Sequence, residues 1–173
     1  VVYSSDQRID AVGACVGMRG SRIQSVVREL NGEKIDIINW STQPEILISR
    51  ALAPAKPINL YIDEERPYVV AVFEDEELPI AIGRNGQNIK LTSEVTGYTI
   101  DIISKSDYLL DQEIKLNKIP TLNDKILKAL SDNKITTSKE FLSSSDEDLN
   151  NIKGIGPKTI DKIKLSIEEA IRD

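Results

Sequence analysis

The chain has 173 residues, 40% of them hydrophobic, which suits one large or two to three small core-forming domains and is too apolar for a disordered tail. A net charge of −6 argues against coating duplex DNA by bulk electrostatics, and the absence of histidine removes Ser-His, Cys-His and most transition-metal constellations. Cys15 is the single cysteine, so there is no internal disulfide framework, and no apolar run approaches the roughly 20 residues a membrane span requires.

From this we expect a soluble, cytoplasmic, monomeric chain with no membrane association, no cofactor and no metal, and not an enzyme. It starts at Val1 without Met, which we read as an excerpt. Lys plus Arg number six, five and eleven over residues 1–50, 51–106 and 107–173, against six, nine and thirteen Asp plus Glu. No third is basic, so a nucleic-acid site has to be small and built largely from oriented backbone.

In chain order, Val1 to Tyr3 read as the end of a strand, and "DAVGACV" at 10–16 as a short helix. The turn "GMRG" at 17–20 opens a longer helix, "SRIQSVVREL", in which Ile23, Val26, Val27 and Leu30 recur on one expected buried face. Gly32 then stops the helix, and "EKIDII" at 33–38 carries the β-branched Ile35, Ile37 and Ile38 of a strand. Trp40 is expected as a partly buried packing residue.

Next come a helix at 44–52, "PEILISRAL", and two strands, "PINLYI" and "YVVAVF", joined by the polar turn "DEERP". The acids Glu74 to Glu77 then suit the start of a short helix, "EELPIAI" at 76–82. "GRNG" at 83–86 opens "QNIKLTSEVT", with Ile89, Leu91 and Val95 as its apolar face; Gly97 ends it and "YTIDII" at 98–103 is a strand. The series from GMRG and the series from GRNG have the same order, with spacing that differs by one residue. The chain therefore contains a repeat whose second copy is helix-strand-strand-helix-helix-strand and whose first copy keeps only the later half.

A G-x-x-G turn opening a helix presents backbone N–H groups and the positive end of the helix dipole to an approaching anion. This is the arrangement of the KH module, whose loop clamps about four nucleotides of single-stranded nucleic acid. On that reading Gly17, Met18, Arg19 and Gly20, and Gly83, Arg84, Asn85 and Gly86, are the two clamps. Arg19, Arg22, Arg84 and Lys90 would meet phosphates, and Ile23, Ile38, Ile89 and Ile103 would floor the bases. Gln87 and Asn88 would read base edges. The competing reading makes each G-x-x-G a plain corner in a protein-docking module. Aromatics are only 5% of the chain, which disfavours a sheet that stacks bases on Phe or Tyr.

"VGACVGMRGSRIQSVVRELNGEKIDIINWS" and "LPIAIGRNGQNIKLTSEVTGYTIDI", with the junction "ALAPAKPINLYIDEE", resemble the paired KH units of the bacterial NusA transcription-factor family over residues 1–104. A lone unit would leave a ribosomal KH protein or a KH-tailed GTPase open; the fused pair favours the NusA family. The resemblance implies an α+β fold of two fused prokaryotic-type (type II) KH units, the first truncated at its N-terminus, at 1–43 and 44–104. It also implies single-stranded RNA as ligand and a role in elongation, termination and antitermination with RNA polymerase and other antitermination factors.

Residues 105–118 read as a polar linker with an apolar patch at Tyr108 to Leu110, and 119–173 as a small all-α domain of about five short helices. There "IPTLNDKI" at 119–126 matches "IKGIGPKT" at 152–159, with Ile119 and Ile152, and Lys125 and Lys158, 33 residues apart. Ser145 and Asp148 have capping-box spacing. "IKGIGPKTIDKI" resembles a helix-hairpin-helix in which Gly154, Gly156, Lys158 and Lys162 would meet a phosphate or a partner. The first copy has Thr121 and Asn123 in place of the glycines. In tailed members of the family comparable repeats bind the C-terminal domain of the polymerase α chain or fold back on the RNA-binding part; docking, nucleic-acid contact and structural support all stay open for this tail. Asp63, Glu64 and Glu65, and Glu74 to Glu77, read as solvated turn and helix-start charges, and Cys15 as a small packing residue.

Overall fold

A computed structural model describes residues 1–172 and divides the chain into two compact units, Val1–Ile103 and Ser104 onward. In the first unit, α1 (Ala11–Val16) and α2 (Ser21–Glu29) are followed by an extended stretch, then α3 (Pro44–Ala51), β1 (Asn59–Ile62), β2 (Tyr68–Phe73), α4 (Leu78–Ile82), α5 (Gln87–Thr96) and β3 (Thr99–Ser104). The three strands form one sheet in the order β1-β2-β3, with β1 and β2 antiparallel and Leu60 opposite Ala71. Asp63 organises the turn between them. Its Oδ1 accepts the amides of Glu65 and Arg66 at 2.9 and 3.0 Å, while its Oδ2 takes the Arg66 guanidinium, and these bonds hold its carboxyl below the usual range.

Strand alternation sends Val69, Ala71 and Phe73 inward, where they meet Ile48 of α3, Leu52 just after it, Ala81 of α4 and Ile100 of β3. Each fully buried large side chain here contributes about 1.5–3 kcal/mol by leaving water. Helix α5 packs on α3, and the buried Thr92 hydroxyl donates to the Ala51 carbonyl at 3.1 Å. Only part of the expected apolar face of α5 is used: Ile89 packs against the core, whereas Leu91 is 59% exposed and Val95 half-exposed.

The first copy of the repeat differs from its expected form. The stretch 33–38 is not a strand, because one parallel bridge, Val2 to Asn39, is all the pairing it finds. Val2 donates to the Ile38 carbonyl at 2.9 Å and receives the Trp40 amide at 2.8 Å, too short a ladder to define a strand. No residue before Leu47 is buried, and Val26 and Leu30, expected on a buried face, are about half-exposed. In the second copy α3, β1 and β2 cover the corresponding surface, and residues 1–43 contain no counterpart of these elements. Trp40 is likewise 45% exposed, with Tyr3 packed edge-on against it at 5.5 Å. Arg50 of α3 ties this half to the second copy by donating to the Asn39 carbonyl at 3.0 Å.

The second unit is all-helical: α6 (Lys105–Asp111), α7 (Asp124–Asp132), α8 (Ser138–Ser143), α9 (Asp146–Asn150) and α10 (Pro157–Arg172). The stretch read as a polar linker is thus partly helix, capped by Ser104, and it sends Leu116 into the core of this unit. The 33-residue repeat is a repeat of buried side chains: Ile119 and Ile152, Leu122 and Ile155, and Leu130 and Ile163 all belong to that core. Ser145 caps α9 as its spacing predicts, accepting the Asp148 amide. A full reciprocal capping box lies elsewhere, between Thr137 and Glu140 at the start of α8. Among the described residues no helix is long and apolar enough to cross a membrane.

Candidate nucleic-acid interface

The two G-x-x-G loops have nearly the same backbone. Gly17 and Gly83 lie at φ 74°, ψ 171° and φ 72°, ψ 172°; Arg19 and Asn85 at φ 52°, ψ 28° and φ 54°, ψ 29°; Gly20 and Gly86 at φ 77°, ψ 14° and φ 72°, ψ 15°. In each, the last glycine donates to the carbonyl of the first, at 3.1 and 3.2 Å, which closes the turn. Gly20 and Gly86 are the cap residues of α2 and α5, and no side-chain oxygen caps either helix. The helix starts keep their partial positive charge directed outward.

The glycines of one loop do different work. A Cβ on Gly17 would lie 2.8 Å from Arg22 Cγ, and one on Gly83 would lie 2.8 Å from Asn88 Cβ and 3.0 Å from the Asn88 amide nitrogen. A Cβ on Gly86 would meet nothing within 4 Å, and one on Gly20 only Ile23 and Gln24 beyond 3.6 Å. The first glycine is needed for packing against the following helix. The last is required by positive φ and has no close neighbour, with open space at Gly86 and only van der Waals contacts at Gly20, which leaves room for a backbone to approach.

Around these loops Met18, Arg19, Arg84, Asn85, Gln87 and Lys90 are exposed, with Met18 89% so. Asn88, expected to read base edges, has its side-chain amide nitrogen engaged within the fold. Its Nδ2 donates to the carbonyls of Leu52 and Ala81 at 3.2 Å and of Ile80 at 3.5 Å, which ties α5 to α3 and α4. Arg22 is at the matching position and donates to the Ala14 carbonyl, so its guanidinium is also partly engaged by the fold.

The four isoleucines expected to floor the bases are placed differently from one another. Ile23 and Ile38 are half-buried in the first copy, with Ile23 directly beneath Gly20. Ile89 packs against the sheet core beside Ile100 and Ile102, while alternation along β3 places Ile103 with Asp101 on the opposite face. On that opposite face Tyr68 donates to Asp101 Oδ2 at 2.9 Å, which raises the phenol above its usual pKa. Nothing in the spacing of "IDII" distinguishes Ile102 from Ile103 until strand parity is known.

In the tail, Gly154 has φ 94° and lines a groove together with Asn123, Lys125, Lys153 and Thr159. The lysines of this groove are Lys125 and Lys153, while Lys158 and Lys162 are exposed on α10. Sequence reasoning identifies Lys125 only as a repeat marker and misses Lys153. Gly156 precedes Pro157 and its carbonyl accepts the Thr159 and Ile160 amides, starting α10. In the first hairpin Asn123 Oδ1 takes the Ile126 amide at 2.9 Å, so a side chain of the chain itself occupies the place an anion would take. Among the described residues no group of three or more Cys, Asp or Glu is placed to hold a metal ion.

Comparison with known proteins agrees with this geometry. Residues 1–40 match the model of the NusA-like first KH domain, 44–109 that of the NusA-like second KH domain, and 113–169 that of the SAM-like helix-hairpin-helix tandem. The transcription termination/antitermination protein NusA of Bacillus subtilis is 43% identical over 106 residues, covering 61% of this chain and 29% of that protein. The protein of the same name from Halalkalibacterium halodurans is 43% identical over 106 residues, covering 61% and 28%, and that from Rickettsia conorii is 49% identical over 107 residues, covering 60% and 21%. The chain spans less than a third of the length of these relatives. Its architecture is accordingly an α+β pair of NusA-like KH domains followed by an all-α helix-hairpin-helix tandem.

Proposed function

We propose that Val1–Ile103 binds single-stranded RNA as part of a transcription elongation, termination or antitermination factor that works with RNA polymerase. One observation carries the reading: two loops 66 positions apart share a backbone that opens an uncapped helix start beside a positive-φ glycine, with open space at Gly86 and no close contact at Gly20. Positive φ accounts for the last glycine on either reading; what favours RNA is that the loop recurs with the same backbone and that its outer side leaves room for a phosphate backbone to approach. Arg19 in one loop and Arg84 in the other supply charge where a phosphate would lie, and oriented amides supply the rest. Two such loops, each clamping about four nucleotides, would together engage about eight.

The test is a titration of a fluorescent 12-nucleotide RNA with the chain and with a variant carrying Asp at Met18, Arg19, Arg84 and Asn85. Affinity is expected to fall at least tenfold with an unchanged thermal melt. Equal affinity of the two proteins would reject the loops as the RNA site.

The helix-hairpin-helix tail supports a second reading, as a protein-docking domain. It has its own core, and its first hairpin is closed by Asn123, which leaves only the second hairpin open to a phosphate. The C-terminal domain of the polymerase α chain is the partner to assay first.

A further inference from the structure

A groove with a cavity of about 450 Å³ lies between the segment Lys115–Asn117, helix α7 and residues 135–136. Its floor is apolar. Leu116 is 1% exposed, and Leu127 and Ile135 are part-buried against the core of the tail. Both charged residues that line it are lysines, Lys115 and Lys128, and no carboxylate does. Among the described residues neither lysine is engaged in an ion pair. In a chain of net charge −6, a groove whose own lining carries two cations and no carboxylate is locally basic.

The walls are fixed before any partner arrives. Leu116 donates to the Thr136 carbonyl at 2.9 Å, and Lys115 and Thr137 form an antiparallel bridge, so the two segments flanking the groove are joined to each other. Preformed walls reduce the ordering that binding would otherwise cost. The volume is within the range of small binding sites and accepts one or two large apolar side chains.

We propose that this groove docks an acidic amphipathic segment of a partner protein. An apolar side chain fills the floor over Leu116, Leu127 and Ile135, and carboxylates on either side of it pair with Lys115 and Lys128. Burial of the apolar anchor supplies most of the affinity, while the two charge pairs, at the rim, set orientation and exclude basic partners. A nucleic-acid strand is the poorer match, since no aromatic residue lines the groove to stack a base. The proposal rests on reading the tail as a docking domain and is independent of the RNA reading of Val1–Ile103.

The experiment is an NMR titration of the ¹⁵N-labelled full chain with three probes. These are a synthetic 12-residue peptide alternating Leu or Phe with Asp or Glu, the same peptide with Lys for each acid, and a 12-nucleotide single-stranded RNA. The acidic peptide is expected to shift amides of residues 115–117 and 127–136. A Lys115→Glu, Lys128→Glu variant, altered only at exposed positions and checked by its own spectrum, should bind it at least tenfold more weakly. No binding of the acidic peptide, shifts confined to other residues, equal binding of the basic peptide, or shifts in this groove with RNA alone would each overturn the proposal. RNA shifts confined to the G-x-x-G loops, with the acidic peptide in the groove, support both readings separately.

Discussion

Arg22 and Asn88 occupy the same place in two copies of one turn. Each is the second residue of the helix after the loop, and each donates to a carbonyl of the short helix before it, Arg22 to Ala14 and Asn88 to Ile80 and Ala81. Each also packs over the first glycine of its loop at a distance that excludes a Cβ. The loop is thus locked on its inner side by a polar side chain, and only its outer side is left to a ligand. Asn88→Ala removes bonds to carbonyls of α4 and of Leu52, the cap of α3, and should destabilise the first unit by about 1–3 kcal/mol, measured by urea unfolding. Arg22→Ala, with a single exposed bond lost, should cost less.

The two glycines of GRNG should respond differently to the same substitution. Gly86→Ala introduces a left-handed non-glycine residue into open space, for a cost of about 1–2 kcal/mol. Gly83→Ala forces a side chain into φ 72°, ψ 172°, a region essentially restricted to glycine, and adds a clash with the backbone nitrogen of Asn88, so its urea midpoint should fall further. Equal midpoints for the two variants would mean that the packing role assigned to the first glycine is wrong.

Arg19 holds a left-handed conformation that asparagine adopts more readily, and Asn85 already fills the matching position. Arg19→Asn should therefore raise the thermal midpoint while weakening RNA binding, because a loop cation is lost. A variant that gains stability and keeps full affinity would remove Arg19 from the RNA contact set.

Much of this is legible in the sequence, for reasons that differ by element. The order α3, β1, β2, α4, α5, β3 follows from hydrophobic period and from glycines at 83, 86 and 97, each of which has positive φ. The partners of a strand are less legible: "EKIDII" has the composition of β3, yet it pairs only with Val2, because strand formation depends on neighbours that composition does not reveal. Site residues are hard to read where two roles share one residue type. Asn88 reads as a base-contacting amide and serves as an internal brace, and Ile103 reads like Ile102 but faces the other side of β3. The structured part of the linker is hidden because its apolar residues, Tyr108 to Leu110, Ile114 and Leu116, are scattered among charged ones, and only the tail's core shows why Ile114 and Leu116 are there.

Glu140 provides a pH test of the tail. Its Oε2 accepts the Thr136 amide at 2.7 Å, the Thr136 hydroxyl at 3.0 Å and the Thr137 amide at 3.1 Å, and these bonds hold its carboxyl below the usual range. A depressed folded-state pKa adds stability that is fully present above the unfolded carboxylate value of about 4.3 and is lost as pH falls through the folded value. The stability gap between the wild type and Glu140→Gln should stay constant from neutral pH down to about 5 and close below about 4. Thr137→Ala, which removes the other half of the box, should cost about 1 kcal/mol at neutral pH. A gap that widens on acidification would contradict the assignment.

The claim that both loops serve one RNA is tested most directly by chemical-shift mapping of the full chain with a 12-nucleotide single-stranded RNA at increasing ratios. The account predicts that amides at 17–21 and 83–87 shift together and saturate at one RNA per chain. It also predicts that Asp at Met18 and Arg19 alone, or at Arg84 and Asn85 alone, weakens binding at both loops. Shifts at one loop only, two independent saturations, or no shift at either loop would contradict it.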